Sequence, residues 1–319
     1  MIVDVHCHYT LSRRPAGAFP RFSFEPATQP DGSPEWDACV APRCERWLAW
    51  RYMQRLLGID ARLRPGPELD VALERVYERH MLSGGPIDRI VLLAFDHYHA
   101  NDGSRPPLPQ RSGDRGSDMY TSNSMVAELC RRHPTRFLLG ASVHPYRPNA
   151  VAAVREVAAA GAVLLKWIPL NQNIDIADPR TLAVLRCCAE LGLPVLAHYC
   201  EEFTLSTQHR EYQSVTAALD VLRRLRREGC MPPFIMAHVS TPVWPWAERA
   251  TYRALLSALL DEFADAPLYA DISALTTITK IGYLRELARR QELHAKLLFG
   301  SDFPVPMSMW RLRRDLGRD

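Results

Sequence analysis

Short apolar runs punctuate the chain: Ile2 to His8, Arg89 to Phe95, Phe137 to Val143, Ala162 to Ile168, Pro194 to His198, Phe234 to His238, Leu268 to Ile272 and Leu297 to Asp302. Each has the length of a strand and is nearly continuous rather than alternating, as strands covered on both faces are. Between them lie segments with apolar residues at helical spacing, among them Ala150 to Ala160, Pro179 to Leu191, Thr216 to Glu228, Ala247 to Ala264 and Gly282 to Leu293. This alternation predicts an α/β fold, a (β/α)8 TIM barrel forming a single domain over residues 1–319. A doubly wound open sheet shares the periodicity, but no Gly-x-Gly-x-x-Gly follows any run.

The first two connections break the rhythm. Residues 9–88 form a long insertion between strands 1 and 2, opening with a Pro-rich loop from Pro15 to Pro42 and continuing through helical patterns at Arg43 to Leu57 and Glu68 to Leu82. Asn101 to Tyr120 is rich in Gly, Pro, Ser and Arg and is expected to be a mobile loop, of the kind that covers substrate at the carboxyl ends of barrel strands. Met309 to Gly317 is expected to form a short last helix.

Composition narrows the class. A net charge of +3 and the absence of a basic block with interleaved aromatics give no footing for nucleic acid. No apolar run approaches the length of a membrane span, and no basic segment followed by an apolar one opens the chain, so the expectation is a cytoplasmic protein acting on a small molecule. A homo-oligomer is compatible with this. The eight cysteines form no paired Cys-x-x-Cys motif and are read as reduced thiols.

The chemistry gathers at the strand ends. His6 and His8 stand two apart, so in a strand they share a face with Asp4 while Val3, Val5 and Cys7 share the other. Asp96, His97 and His99 follow strand 2, His144 follows strand 3, Lys166 lies on strand 4, and His198 and His238 end strands 5 and 6. Asp271 and Ser273 mark strand 7 and Asp302 strand 8. In a barrel these meet at the carboxyl mouth, where active sites lie. Nitrogen and oxygen donors from several strands suit zinc, manganese or iron better than a sulfur-rich site or a calcium cage.

The motifs Asp-Val-His-Cys-His at 4–8, Leu-Ala-His at 196–198, Met-Ala-His at 236–238 and Phe-Gly-Ser-Asp-Phe-Pro at 299–304 resemble the amidohydrolase superfamily. The nearer resemblance is to its amidohydrolase-2 branch, which includes aminocarboxymuconate-semialdehyde decarboxylase. It implies that His6, His8, His198 and Asp302 hold a divalent metal, Zn2+ first and Mn2+ or Fe2+ as alternatives, with Asp302 also handling protons. His238 would stand at the edge of the coordination shell as a second catalytic residue. Lys166 has two readings: a carboxylated lysine bridging a second metal, as in two-metal members of the superfamily, or a lysine paired with Asp302, Glu201 or a substrate carboxylate. Glu201, His144 and Trp167 are further candidates for contact with substrate, while Asp4 and Asp271 are expected as buried partners of the ligands.

The function expected on this resemblance is a metal-dependent hydrolase, in which metal-activated water attacks an amide, ester or lactone carbonyl. The alternative is a metal-dependent non-oxidative decarboxylase of a small aromatic or unsaturated acid. A third class, a catalytically silent metal-binding scaffold, is disfavoured by the intact Asp302 and ligand set.

Overall fold

The computed structural model describes residues 1–45, 47–244 and 249–305. Its main sheet has eight strands in sequence order: β1 (Val3–His8), β2 (Arg89–Leu93), β3 (Phe137–Ala141), β4 (Leu164–Trp167), β5 (Val195–Ala197), β6 (Phe234–Met236), β7 (Leu268–Asp271) and β8 (Leu297–Leu298). Every paired neighbour in this order is parallel. The sheet closes where residues after β8 meet β1: Val5 N donates to Phe299 O at 3.0 Å, Asp302 N to His6 O at 2.8 Å and His8 N to Phe303 O at 2.7 Å. The expected barrel is therefore the observed one.

The outer layer contains α1 (Leu48–Leu56), α2 (Pro67–Tyr77), α3 (Asn123–Arg132), α4 (Ala150–Ala159), α5 (Pro179–Leu191), α6 (Val215–Arg227), α7 (Ala250–Leu260) and α8 (Ile281–Arg289). Asp178 and Ser214 cap α5 and α6 by accepting from the backbone N–H groups of Arg180 and Ala217. Among the described residues no helix is long and apolar enough to cross a membrane. The last expected helix, Met309 to Gly317, lies outside the described residues, as does the start of the segment expected to be helical from Ala247.

Two cores follow from the strand period of two. One set of side chains, including Leu139, Trp167, Val195, Ala197, Met236 and Ala270, packs outward against the helices. A smaller set, including Val91, Leu93, Leu164, Leu196 and Ile235 with Tyr269 and Leu298, fills the barrel interior. Two positions further along β4, β5 and β7, the inward series of Leu164, Leu196 and Tyr269 continues as Lys166, His198 and Asp271. Apolar residues thus plug the lower barrel, and polar ones occupy its carboxyl mouth.

The insertion departs from expectation. The stretch read as a loop from Pro15 to Pro42 contains a strand, Trp36–Val40, which pairs antiparallel with Arg13–Pro15 on one side and Met119–Thr121 on the other. The third of these strands includes Met119 and Tyr120, the end of the segment expected to be a mobile loop. Leu69, Leu73, Val76 and Tyr77 of α2 join the same outer core as the barrel strands.

Candidate metal centre

β1 delivers the first histidines through an irregularity: its register against β2 shifts between Asp4 and Cys7. Val3 consequently packs with the barrel interior, rather than sharing the outward face with Cys7 as simple alternation predicts. Asp4 is buried beneath the mouth, where its Oδ1 accepts from the backbone N–H groups of His6 at 3.1 Å and Ser301 at 3.0 Å. It joins β1 to the closing segment, and burial pushes its carboxyl up to about 6.

His6 is fixed from behind. Its Nδ1 lies 2.9 Å from Asp271 Oδ2 and 3.0 Å from Ser273 Oγ, which turns Nε2 toward Asp302 Oδ1 at 3.3 Å. His8 Nε2 stands 3.4 Å from the same Asp302 oxygen, and its Nδ1 is buried without a hydrogen-bond partner among the described residues. His238 donates from Nδ1 to the Ser273 carbonyl at 3.0 Å, leaving Nε2 4.0 Å from Asp302 Oδ2. One donor atom from each of His6, His238 and Asp302 falls within 4.8 Å of the others.

Backbone strain sets two of these side chains. His238, Val239 and Ser240 adopt φ of 54°, 49° and 50°, and Asp302 adopts 60°. Each left-handed non-glycine costs roughly 1–3 kcal/mol and persists only where its surroundings hold it. Asp271 supplies part of that hold by accepting from the His238 backbone N–H at 3.0 Å, and Thr241 N donates to the His238 carbonyl at 3.0 Å. The turn also re-aims His238: Met236, two residues before it, points into the outer core, whereas His238 stacks against His6 with ring centroids 5.1 Å apart.

These residues fit a divalent ion. Bonds of about 2.1 Å to a tetrahedral ion place neighbouring donors about 3.4 Å apart, close to the separations of Asp302 from His6 and His8. The ring nitrogens of His6 and His238 that face away from the centre are held by a carboxylate, a hydroxyl or a carbonyl, the support that metal-binding imidazoles need. Electrostatics agree with donors ready to bind. Burial holds the His6 and His238 imidazoles below their ordinary range. Although burial alone would raise Asp302, the three histidines beside it hold its carboxyl well below the usual carboxylate range.

Lys166 enters the same space. Fully buried on β4, its Nζ lies 3.0 Å from His6 Nε2. Burial lowers its amine from the ordinary lysine range against the pull of Asp271, Asp302 and Glu202.

The other sequence candidates are placed differently. His198 reaches the mouth, its ring 4.9 Å from that of His238, but it stands outside the three-residue group. Its Nε2 lies 3.2 Å from Glu201 O and 3.1 Å from Cys200 Sγ, and its Nδ1 3.6 Å from Glu202 Oε2. Glu201 is exposed and accepts from Val243 N at 3.1 Å. The inward acid is its neighbour Glu202, whose Oε1 is tied to Phe203 N, Thr204 N and Thr204 Oγ1. His144 is wholly buried with both nitrogens used, Nδ1 accepting from Tyr146 N at 3.0 Å and Nε2 donating to Gln172 O at 2.6 Å. Trp167 does not wall the mouth. The residue after inward-facing Lys166 must point outward, and its indole packs in the outer core with Nε1 donating to Val143 O at 2.8 Å. Sequence reading took Glu202 together with Glu201 as a residue for substrate binding or helix capping, and marked Ser273, which bridges two histidines, only through its spacing from Asp271.

A parallel barrel with histidines and an aspartate converging at its carboxyl mouth has its polar cluster where barrel enzymes carry their active sites. The family model described as Amidohydrolase (Amidohydro_2) matches residues 106–319. The chain belongs to the Amidohydro_2 family. Among curated proteins none matches it. Among solved structures it is similar to an uncharacterized TIM-barrel protein from Bordetella bronchiseptica, with 17% identity over 98% of this chain and 90% of that one and a TM-score of 0.58. A 5-carboxyvanillate decarboxylase from Sphingomonas paucimobilis is 13% identical over 96% and 90% of the two chains, with a TM-score of 0.51. A candidate 2-pyrone-4,6-dicarboxylic acid hydrolase from Pseudomonas putida is 15% identical over 97% and 84%, with a TM-score of 0.50. At these identities the likeness is one of fold.

Proposed function

We propose that the chain is a metal-dependent hydrolase acting on an amide, ester or lactone carbonyl of a small molecule. The observation that carries this reading is the Asp302 carboxylate, 3.3 and 3.4 Å from the inner nitrogens of His6 and His8. His6, His8, His238 and Asp302 would hold a divalent ion, zinc first with manganese or iron(II) as alternatives, and His198 stands beside them as a further donor. Such an ion, when bound, polarises a carbonyl oxygen and lowers the pKa of water from about 15.7 to about 7. Asp302 accepts the proton of the attacking water and returns it to the leaving group. Asp271 and Ser273 keep His6 and His238 oriented, and the apolar plug below keeps bulk water from reaching the reacting centre from beneath.

The second reading is a non-oxidative decarboxylase, favoured by Lys166, a buried amine at the mouth that suits a carboxylate when protonated. The fold is shared with proteins named for each chemistry. Metal analysis of the purified protein followed by a turnover screen of lactones, amides and aromatic acids tests both readings. Hydrolysis puts labelled oxygen from water into the product. Release of carbon dioxide with solvent deuterium on carbon and no labelled oxygen replaces the hydrolase reading with the decarboxylase one.

A further inference from the structure

Lysine occurs at only three positions, 166, 280 and 296, and two of these belong to the carboxyl mouth. Lys166 is accounted for by the centre described above. Lys280 is not. It lies between β7 and α8 and is 7% exposed, and its Nζ meets a single hydrogen-bond acceptor among the described residues, the Thr241 carbonyl at 3.4 Å. An ammonium carries three N–H donors. Withdrawing it from water with one long bond leaves donors and charge uncompensated, which costs free energy until an anion takes the place of water.

Its surroundings say where that anion would sit. Thr241 follows His238 at the end of β6, and its hydroxyl donates to the His238 carbonyl at 2.9 Å, so Lys280 is joined to the histidine turn through one residue. Trp244 and Ile278, on the same two loops as Thr241 and Lys280, are respectively 40% and 57% exposed, so those loops present apolar side chains as well as the lysine.

We propose that Lys280 anchors an oxyanion, a carboxylate or phosphate carried on an apolar body, in a subsite between the loops that follow β6 and β7. The subsite holds the end of the substrate remote from the reacting carbon, so the inference rests on the reading of the mouth as a substrate site. The ammonium forms charge-assisted hydrogen bonds to the anion and the rim packs on the carbon skeleton.

Calorimetric titration of the protein as purified tests this with isophthalate, phenyl phosphate and the neutral analogue isophthalamide. Isophthalate or phenyl phosphate, whichever form the site prefers, is expected to bind at least 10-fold more tightly than isophthalamide. Lys280→Met and Lys280→Gln are expected to weaken that anion by about 10- to 100-fold, with Lys280→Arg in between and circular dichroism unchanged. Equal binding of the anions by wild type and Lys280→Met, or no preference of the wild type for an anion over isophthalamide, overturns the proposal. Metal content measured on the same samples separates the two readings: Lys280-dependent binding by a protein without metal leaves the subsite standing and removes the metal chemistry.

Discussion

Gly300 is the narrowest point between the fold and the centre. A Cβ built there would lie 2.8 Å from His6 Cβ and 3.0 Å from Ser273 Cβ. Carbon atoms attract best at roughly 3.5–4.0 Å, so Gly300→Ala creates two overlaps of about half an ångström or more. Neither neighbour is the free end of a flexible side chain. Both are attached to backbone, one in β1 and the other just after β7, so relief requires the closing segment to move away from both. Overpacking of this kind costs about 1–3 kcal/mol, read as a lower urea midpoint at unchanged slope. His6 and Ser273 are also the residues that aim and support donors, so metal affinity should fall in the same variant, measured by competition with a chromophoric chelator. Gly282→Ala is the control: its Cβ meets nothing within 4 Å, and stability is expected to hold or rise slightly. A Gly300→Ala protein with wild-type midpoint and wild-type metal affinity would refute the reasoning.

Four further outcomes are expected. Asp302→Asn should keep much of its metal through the remaining histidines yet lose about 10²- to 10⁴-fold in turnover, read from steady-state rates and metal content together. Asp271→Asn, which withdraws the carboxylate behind His6 and beneath the His238 turn, should weaken metal binding by about 10- to 100-fold in chelator competition. Lys166→Ala should retain one metal per chain by elemental analysis, as expected of a free amine; a wild-type count of two falling to one would instead mark a carboxylated, bridging lysine. Glu35 contributes pH dependence: burial would raise its carboxyl, but His97 and Arg105 bring it from 4.5 down to about 2, so its stabilisation is present at neutral pH and lost as pH falls through that window. Urea midpoints of Glu35→Gln should therefore vary less than wild type between those two values.

Much of the barrel was legible because its strands are apolar on both faces and separated by helical spacing. The lower ends of Leu164, Leu196 and Tyr269 and the polar residues two positions above them follow from periodicity alone. What escaped is non-local or conformational. The strand Trp36–Val40 owes its existence partly to Met119–Thr121, a partner distant in sequence, and nothing in five residues flanked by prolines announces that pairing. Trp167 was a candidate wall for an apolar pocket, but alternation from Lys166, which faces the mouth, sends it into the outer core. His238 is the reverse case. Alternation from Met236 would send it outward, and only three successive left-handed residues bring it in, a backbone state that residue types other than glycine do not advertise. The position of Lys280 was equally hidden, since a lysine in a threonine-rich loop reads as solvated until its burial is known.

The seam between β1 and the residues after β8 has a consequence for the order in which the molecule is made. Asp4 is synthesised 297 residues ahead of its partner Ser301. At roughly 5–20 residues per second the wait is on the order of 15–60 s. Throughout that interval β1 has an unpaired edge, and His6 and His8 have no Asp302 to face. Helices and inner strands can form as they emerge, but only the arrival of residues 299–303 closes the sheet and completes the donor set. An interrupted message would therefore yield a chain with most of its secondary structure and no competent centre, and the exposed edge of β1 would be what distinguishes the unfinished product for a chaperone or a protease.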